Sequence, residues 1–223
     1  MAVVDELAEP NRQLTAGEIG LLRPIFRDGI DYALVRVINN SFPLQPANVY
    51  MTPRGHVYAP GELWHDDFSS ARESLRAVFV HEMTHVWQFA NGMDLLGQGF
   101  IIFSKYRGQY EMAYPYELVP GQDLVDYGME QQASIIEDYF LITVDHARPE
   151  RITNTGISDT QRDQLYAAVM KNFLLSARYA RGLDPAALAE RHAKASETSS
   201  HAEPAKQHGD PHMCGWRFTP RKK

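Results

Sequence analysis

The chain has 223 residues, a formal net charge of −6 and a pI near 5.8, with 44% hydrophobic and 22% charged residues. That size and balance suit one soluble domain with short extensions, and the acidic balance argues against nucleic acid as a partner, because phosphate binding needs a basic face. A single cysteine excludes an internal disulfide, no apolar run reaches the ~18 residues of a membrane span, and MAVVDELAEPNRQ lacks the basic and apolar regions of a signal peptide.

Residues 1–13 read as a lead-in. Thr15 and Glu18 then form a capping box, and Ile19, Leu22, Ile25 and Phe26 follow at helical spacing, which predicts a helix over 16–27. YALVRVINN is a β-rich run, and NVYMTPRGHVYAPG reads as two short strands around a Pro53-Arg54-Gly55 turn. Ser70 with Glu73 predicts a second capping box, opening a helix that runs to Ala90 and stops at Asn91-Gly92. Residues 93–127, rich in glycine, tyrosine and proline, are read as a long loop with small elements. A third helix is predicted from Gly128 through MEQQASIIEDYFLITVDH, and a fourth from Ser158, paired with Gln161, to Arg181-Gly182. From residue 185 few apolar residues remain, so 14–184 is the expected domain and 185–223 a flexible tail. The fold class is α+β, mainly helical with a small sheet or hairpin.

The second helix carries His81-Glu82-Met83-Thr84-His85, the pattern H-E-x-x-H. Residues at i and i+4 share a helix face, so both imidazoles can reach one ion. Glu82 is one step round, poorly placed as a third ligand and well placed to take a proton from a water on the metal. Chance would place this pattern in about one chain in fifty of this composition. Leu75, Val78, Phe79, Val86, Trp87 and Phe89 make the same helix apolar nearly all round, which predicts burial. Buried histidines and a buried glutamate are costly unless satisfied, and a zinc ion satisfies them.

A catalytic zinc takes three protein ligands and keeps one position open. Glu130, in the first turn of the third helix, is the expected third ligand, with the small Ala133 allowing close helix packing. Glu137, seven residues on, is the alternative ligand, or a partner that orients a histidine. Asp138 is a second candidate for that orienting part, and His146 a weaker alternative ligand. Tyr106, Tyr110, Tyr114, Tyr116 and Tyr127 crowd the preceding segment, and any one can donate a hydrogen bond to an oxyanion. His56, His65 and the histidines of the tail form no closed set.

H-E-x-x-H followed by Glu130-Gln131-Gln132-Ala133 resembles the zincins, specifically the gluzincins, whose third zinc ligand is a glutamate on a later helix. Ser134 departs from that pattern, because many gluzincins carry an acidic residue there. Over longer stretches LTAGEIGLLRPIF, QPANVYMTPRGHVYAP, FVHEMTHVWQ and MEQQASIIEDYF resemble the metallopeptidase toxin domains attached to VgrG and Rhs proteins of bacterial type VI secretion, most nearly the C-terminal metallopeptidase domains of VgrG proteins. The resemblance covers residues 13–182. It implies a zincin-like fold, zinc held by His81, His85 and Glu130, and Glu82 as general base in peptide-bond hydrolysis. It also implies a protein made in the cytoplasm and carried by a spike to the periplasm of a target bacterium, with a cognate immunity protein as partner. A resident processing peptidase, or a non-catalytic spike extension with structural zinc, are the alternatives.

Overall fold

The computed structural model describes residues 11–183. The tail expected at 185–223, with its histidines, lies outside the described residues, as do residues 1–10. The architecture is α+β: six helices surround a three-stranded sheet among the described residues.

The supposed lead-in already contributes structure. Asn11–Gln13 forms β1, which pairs antiparallel with β2 (Arg36–Ile38), Arg12 lying opposite Val37. Arg12 grips Glu18 with two hydrogen bonds of 2.7 and 2.8 Å and reaches the His65 carbonyl. Glu18 is fully buried at the start of α1 (Ala16–Phe26), where it also accepts from the backbone N–H groups of Thr15 and Phe68. The Thr15–Glu18 capping box forms as the sequence predicts. One pair of residues thus ties β1, α1 and the approach to the central helix together.

The strand expected across YALVRVINN shrinks to three residues, and the hairpin does not form as two strands. Val57–Tyr58 makes β3, parallel to β2, with Val37 opposite Val57. The earlier half of the hairpin keeps a single antiparallel bridge, Met51 to Tyr58. Gly55 still supplies a left-handed turn, with φ of 74°.

The central helix, α2, spans Glu73–Ala90. Ser70 does not cap it. Asp67 accepts from the Ser69 amide and closes a separate 3-10 turn over Phe68–Ser70, so the chain is already committed to that turn before α2 begins with no side-chain cap. The far end behaves as expected: Gly92 is left-handed at φ 91° and Asn91 Nδ2 donates to the Trp87 carbonyl. Within α2, Phe79 stacks on Phe68 at 4.5 Å, and Trp87 packs on Phe173 and donates to the Ala177 carbonyl. Phe89 departs from the expected burial and is half exposed.

Residues 93–127 are not mainly loop. Leu95–Lys105 forms α3, capped by Asp94, whose side chain accepts from the Gly97 amide. Gly97 and Gly99 lower its intrinsic helix propensity and hide it from pattern reading. Met129–Thr143 forms α4, which packs more extensively on α2 than any other element does. Ala133 is fully buried, as a close helix crossing requires. The fourth predicted helix divides into α5 (Asp159–Val169), with the Ser158–Gln161 capping box, and α6 (Lys171–Leu175).

Candidate metal centre

α2 supplies His81, Glu82 and His85; α4, crossing it, supplies Glu130 and Glu137. All five are buried. A nitrogen of each histidine and one oxygen of Glu130 all lie within 4.8 Å of one another. Nε2 of His81 is 3.1 Å and Nε2 of His85 3.4 Å from the same oxygen, Oε2 of Glu130. Four ligands at ~2.1 Å around a tetrahedral zinc stand about 3.4 Å apart. The cluster therefore has the spacing and the donor set for a small divalent cation such as zinc.

The other nitrogen of each ring is engaged. His81 Nδ1 lies 3.0 Å from Glu137 Oε2, and His85 Nδ1 lies 2.8 Å from Gln88 Oε1. Since Oε2 and Oε1 of these partners accept, Nδ1 carries the proton and Nε2 presents its lone pair to the cluster. Gln88 is itself fixed: its Nε2 donates to the Met129 carbonyl and to Gln132 Oε1. Glu130 is held at its far oxygen, where Tyr110 donates a 2.8 Å hydrogen bond to Oε1. That leaves Oε2 facing the imidazoles. The His81 ring also packs 5.6 Å from the ring of Tyr114.

The electrostatics follow from close packing of opposite charges. Burial by itself would raise Glu130, but His85 and His81 outweigh it and hold the carboxyl well below its ordinary range. Burial would likewise lower His85; the Glu130 carboxylate reverses this and raises it. Burial would raise Glu137, and the His81 hydrogen bond and nearby charges, among them Arg151, bring it down.

Glu82 lies beside this cluster in a cleft of about 50 Å³. Thr52, in the segment before β3, donates to its Oε2 at 2.5 Å. Tyr50, Thr52 and Pro53 form one wall of the cleft; Leu95, Leu96 and Gly99 of α3 form the other.

The remaining candidates separate. Asp138 does not orient a histidine: it accepts from Tyr116 and from the amides of Glu150 and Arg151, and burial lifts its pKa to about 7. It faces away from the cluster because it follows Glu137 by one residue, about 100° round the helix. His146 falls beyond the end of α4, exposed and left-handed at φ 54°, outside the cluster. Tyr116 serves Asp138 and Tyr166, and Tyr127 donates to the Glu117 carbonyl. His56 and His65 stand apart from the cluster as well. Ser134 is fully buried and keeps its hydroxyl away from the histidines; one turn later Glu137 provides the carboxylate that orients His81. Pattern reading missed Gln88 and Thr52. Gln88 carries a signal in hindsight, three residues after His85 on the same helix face; Thr52 carries none.

No family model matches the chain. It is 36% identical over 170 residues to the type VI secretion system spike protein VgrG2b of Pseudomonas aeruginosa, a match covering 74% of this chain and 15% of that protein. The chain thus spans a small fraction of the length of that curated relative. The fold is similar to that of the solved effector domain of P. aeruginosa VgrG2b, with a TM-score of 0.54 and 34% identity over 74% of this chain and 83% of that one. Conserving sequence and fold together over most of that domain, the chain belongs to the family of the VgrG2b effector domain.

Proposed function

We propose that this domain is a zinc-dependent metallopeptidase acting as a type VI secretion effector. The observation that carries the reading is the convergence of His81 Nε2, His85 Nε2 and Glu130 Oε2, with a further carboxylate, Glu82, at the same cleft. Two imidazoles and one carboxylate are a catalytic zinc set, leaving a position open, whereas structural zinc sites close with four protein ligands. When bound, zinc supplies Lewis acidity toward water and a substrate carbonyl. Glu82 accepts the proton of the attacking water and returns it to the leaving amine. Thr52 holds the Glu82 carboxylate, Tyr110 holds that of Glu130, and Glu137 and Gln88 keep both imidazoles in the tautomer that offers Nε2. The α3 wall and the segment around Thr52 keep bulk water from these groups.

The family supports the setting. VgrG2b is a type VI secretion spike protein and the matching domain is its effector domain. By that likeness the chain acts with a VgrG or Rhs spike, reaches the periplasm of a target cell, cleaves a protein or peptide there, and is neutralised by an immunity protein in its producer. A Glu82 carboxylate in an open cleft disfavours the non-catalytic spike extension. The test is direct. Purified protein should carry about one zinc per chain and cleave an unfolded protein substrate; Glu82→Gln should keep the zinc and lose the cleavage. Full zinc with no cleavage by the wild type would replace the peptidase with a structural metal site.

A further inference from the structure

We infer that the end of the cleft formed by α2 and α3 is a receptor for an apolar side chain of an extended polypeptide substrate, an inference that rests on the peptidase reading above. Three large apolar side chains are left in solvent there: Phe89 is 46%, Leu96 40% and Phe100 73% exposed. Phe89 follows His85 by one helical turn, so it continues the face that carries the metal cluster. Its ring packs against Gly55, where an added Cβ would fall 2.6 Å from Cδ1, so the turn beyond Thr52 and Pro53 has been drawn onto it. Leu96 lines the cleft itself, together with Gly99, and Phe100 lies one turn from Leu96 on the same flank of α3.

This apolar ground is continuous with the cleft that holds Glu82, His85 and Glu130, and that continuity selects the occupant. A chain bound across the reactive groups must lay a neighbouring residue over Phe89, Leu96 and Phe100. Those surfaces offer no charge and reward burial of an aliphatic or aromatic side chain. Three partly exposed side chains fall far short of the roughly 800 Å² per partner of a stable protein interface, which disfavours a second copy of the chain. Gly99 contributes by omission. The space above it reaches Tyr110, whose hydroxyl would stand 3.7 Å from an added Cβ, so the α3 wall stays low beside the group that holds Glu130.

The experiment separates this from the chemistry. Full-length Glu82→Gln protein loaded with zinc is titrated, by fluorescence anisotropy, into two uncharged synthetic peptides that differ only in a central Phe or Ser. The Phe peptide should bind about tenfold more tightly, the return expected for burying one such side chain. Leu96→Ser with Phe100→Ser should reduce that preference to less than about threefold, with a melting curve like that of the parent. Equal binding of the two peptides, or a preference that survives the double substitution, overturns the inference. Cleavage of the Phe peptide by protein with Glu82 intact is scored separately: preference without cleavage removes the peptidase and keeps the receptor, and cleavage without preference does the reverse. Loss of a dimer in sedimentation, or loss of binding to phosphatidylglycerol vesicles, caused by the same substitutions in place of lost peptide preference, would reassign the surface to self-association or to a lipid and overturn the inference too.

Discussion

Thr52 reaches across the cleft and donates a 2.5 Å hydrogen bond to Oε2 of Glu82, from a segment thirty residues earlier in the chain. The contact fixes the carboxylate without making it a metal ligand, because the hydroxyl occupies one oxygen from the side of the sheet. Replacing it with Val keeps the shape and removes the donor. Thr52→Val should leave zinc content unchanged and lower kcat by about tenfold, since a general base contributes roughly 10²–10⁴ and here loses its aim and not its presence. Thr52→Ser should recover most of the loss. Metal analysis beside steady-state kinetics checks both; loss of zinc from Thr52→Val would show that the bond serves the fold.

Glu130 and Glu137 make a second distinction on one helix. Both are buried and both touch His81, Glu130 at Nε2 and Glu137 at Nδ1. Glu130→Gln removes a ligand charge and should abolish stoichiometric zinc. Glu137→Gln retains an acceptor for Nδ1–H and should weaken zinc by about 10- to 100-fold, as loss of an orienting partner does elsewhere. Competition with a chromophoric chelator ranks the two. The reverse order would make Glu137 the ligand.

The pH dependence has opposite signs with and without metal. Glu130 holds His85 above its ordinary value, and the histidines hold Glu130 below its own, each against the effect of burial. A raised histidine stabilises the fold fully below its unfolded pKa, about 6.5, and loses that contribution as pH rises through the higher folded value. A lowered carboxyl stabilises above its unfolded pKa, about 4.3, and loses that as pH falls through the folded one. The metal-free protein therefore gains most from this pair between about pH 4.3 and 6.5. Zinc needs the neutral imidazole, so its affinity falls as the pH drops through the raised His85 value. Melting curves with excess chelator should lose Tm from pH 6 to pH 8 through this pair, and the increment that zinc adds should grow over the same range. His85→Gln should remove both trends.

How much of this was written plainly in the sequence depends on whether a local period carried it. H-E-x-x-H sets its own geometry because i and i+4 share a helix face, and Gly92 marks where that helix stops. Glu130 could be chosen because it opens a helix with a small residue three places on. Helix α3 was hidden because its two glycines and its continuous apolar run suit no amphipathic pattern; its signals were the Asp94 cap and the Gly92 stop before it. The Ser70–Glu73 box was a genuine motif overruled by Asp67, which captured the Ser69 amide first. Thr52 has no sequence signal, since only tertiary packing brings it to Glu82. Asp138 and Glu137 look equivalent in sequence; about 100° of helix rotation sends one to Tyr116 and the other to His81.

Arg12 carries a stability prediction. Its guanidinium is partly exposed, while Glu18 beneath it is fully buried and also receives the amides of Thr15 and Phe68. Removing the cation leaves a buried carboxylate with neutral donors alone. Arg12→Leu should cost about 3 kcal/mol, the lower part of the range for breaking a buried pair, and lower Tm by roughly 6–12 °C in a domain of this size. Zinc stoichiometry should be preserved, because β1 lies at the other end of the sheet from the cleft. A change below about 2 °C would mean that the backbone donors are enough to hold Glu18.

The site of action gives the last prediction. No helix among the described residues is long and apolar enough to cross a membrane, and the relatives are a spike protein and its effector domain. If the chain is a peptidase whose targets lie in the periplasm, its toxicity depends on the compartment and on Glu82 together. Expression in a susceptible bacterium with an added export signal should stop growth; the same protein kept in the cytoplasm should be tolerated. Exported Glu82→Gln should be harmless at equal abundance, since it keeps the fold and the metal ligands and loses only the base. Equal toxicity of exported wild type and Glu82→Gln would separate the effector role from peptidase chemistry. Harmlessness of both, in a strain where the zinc-loaded protein cleaves substrate after purification, would favour a resident processing peptidase.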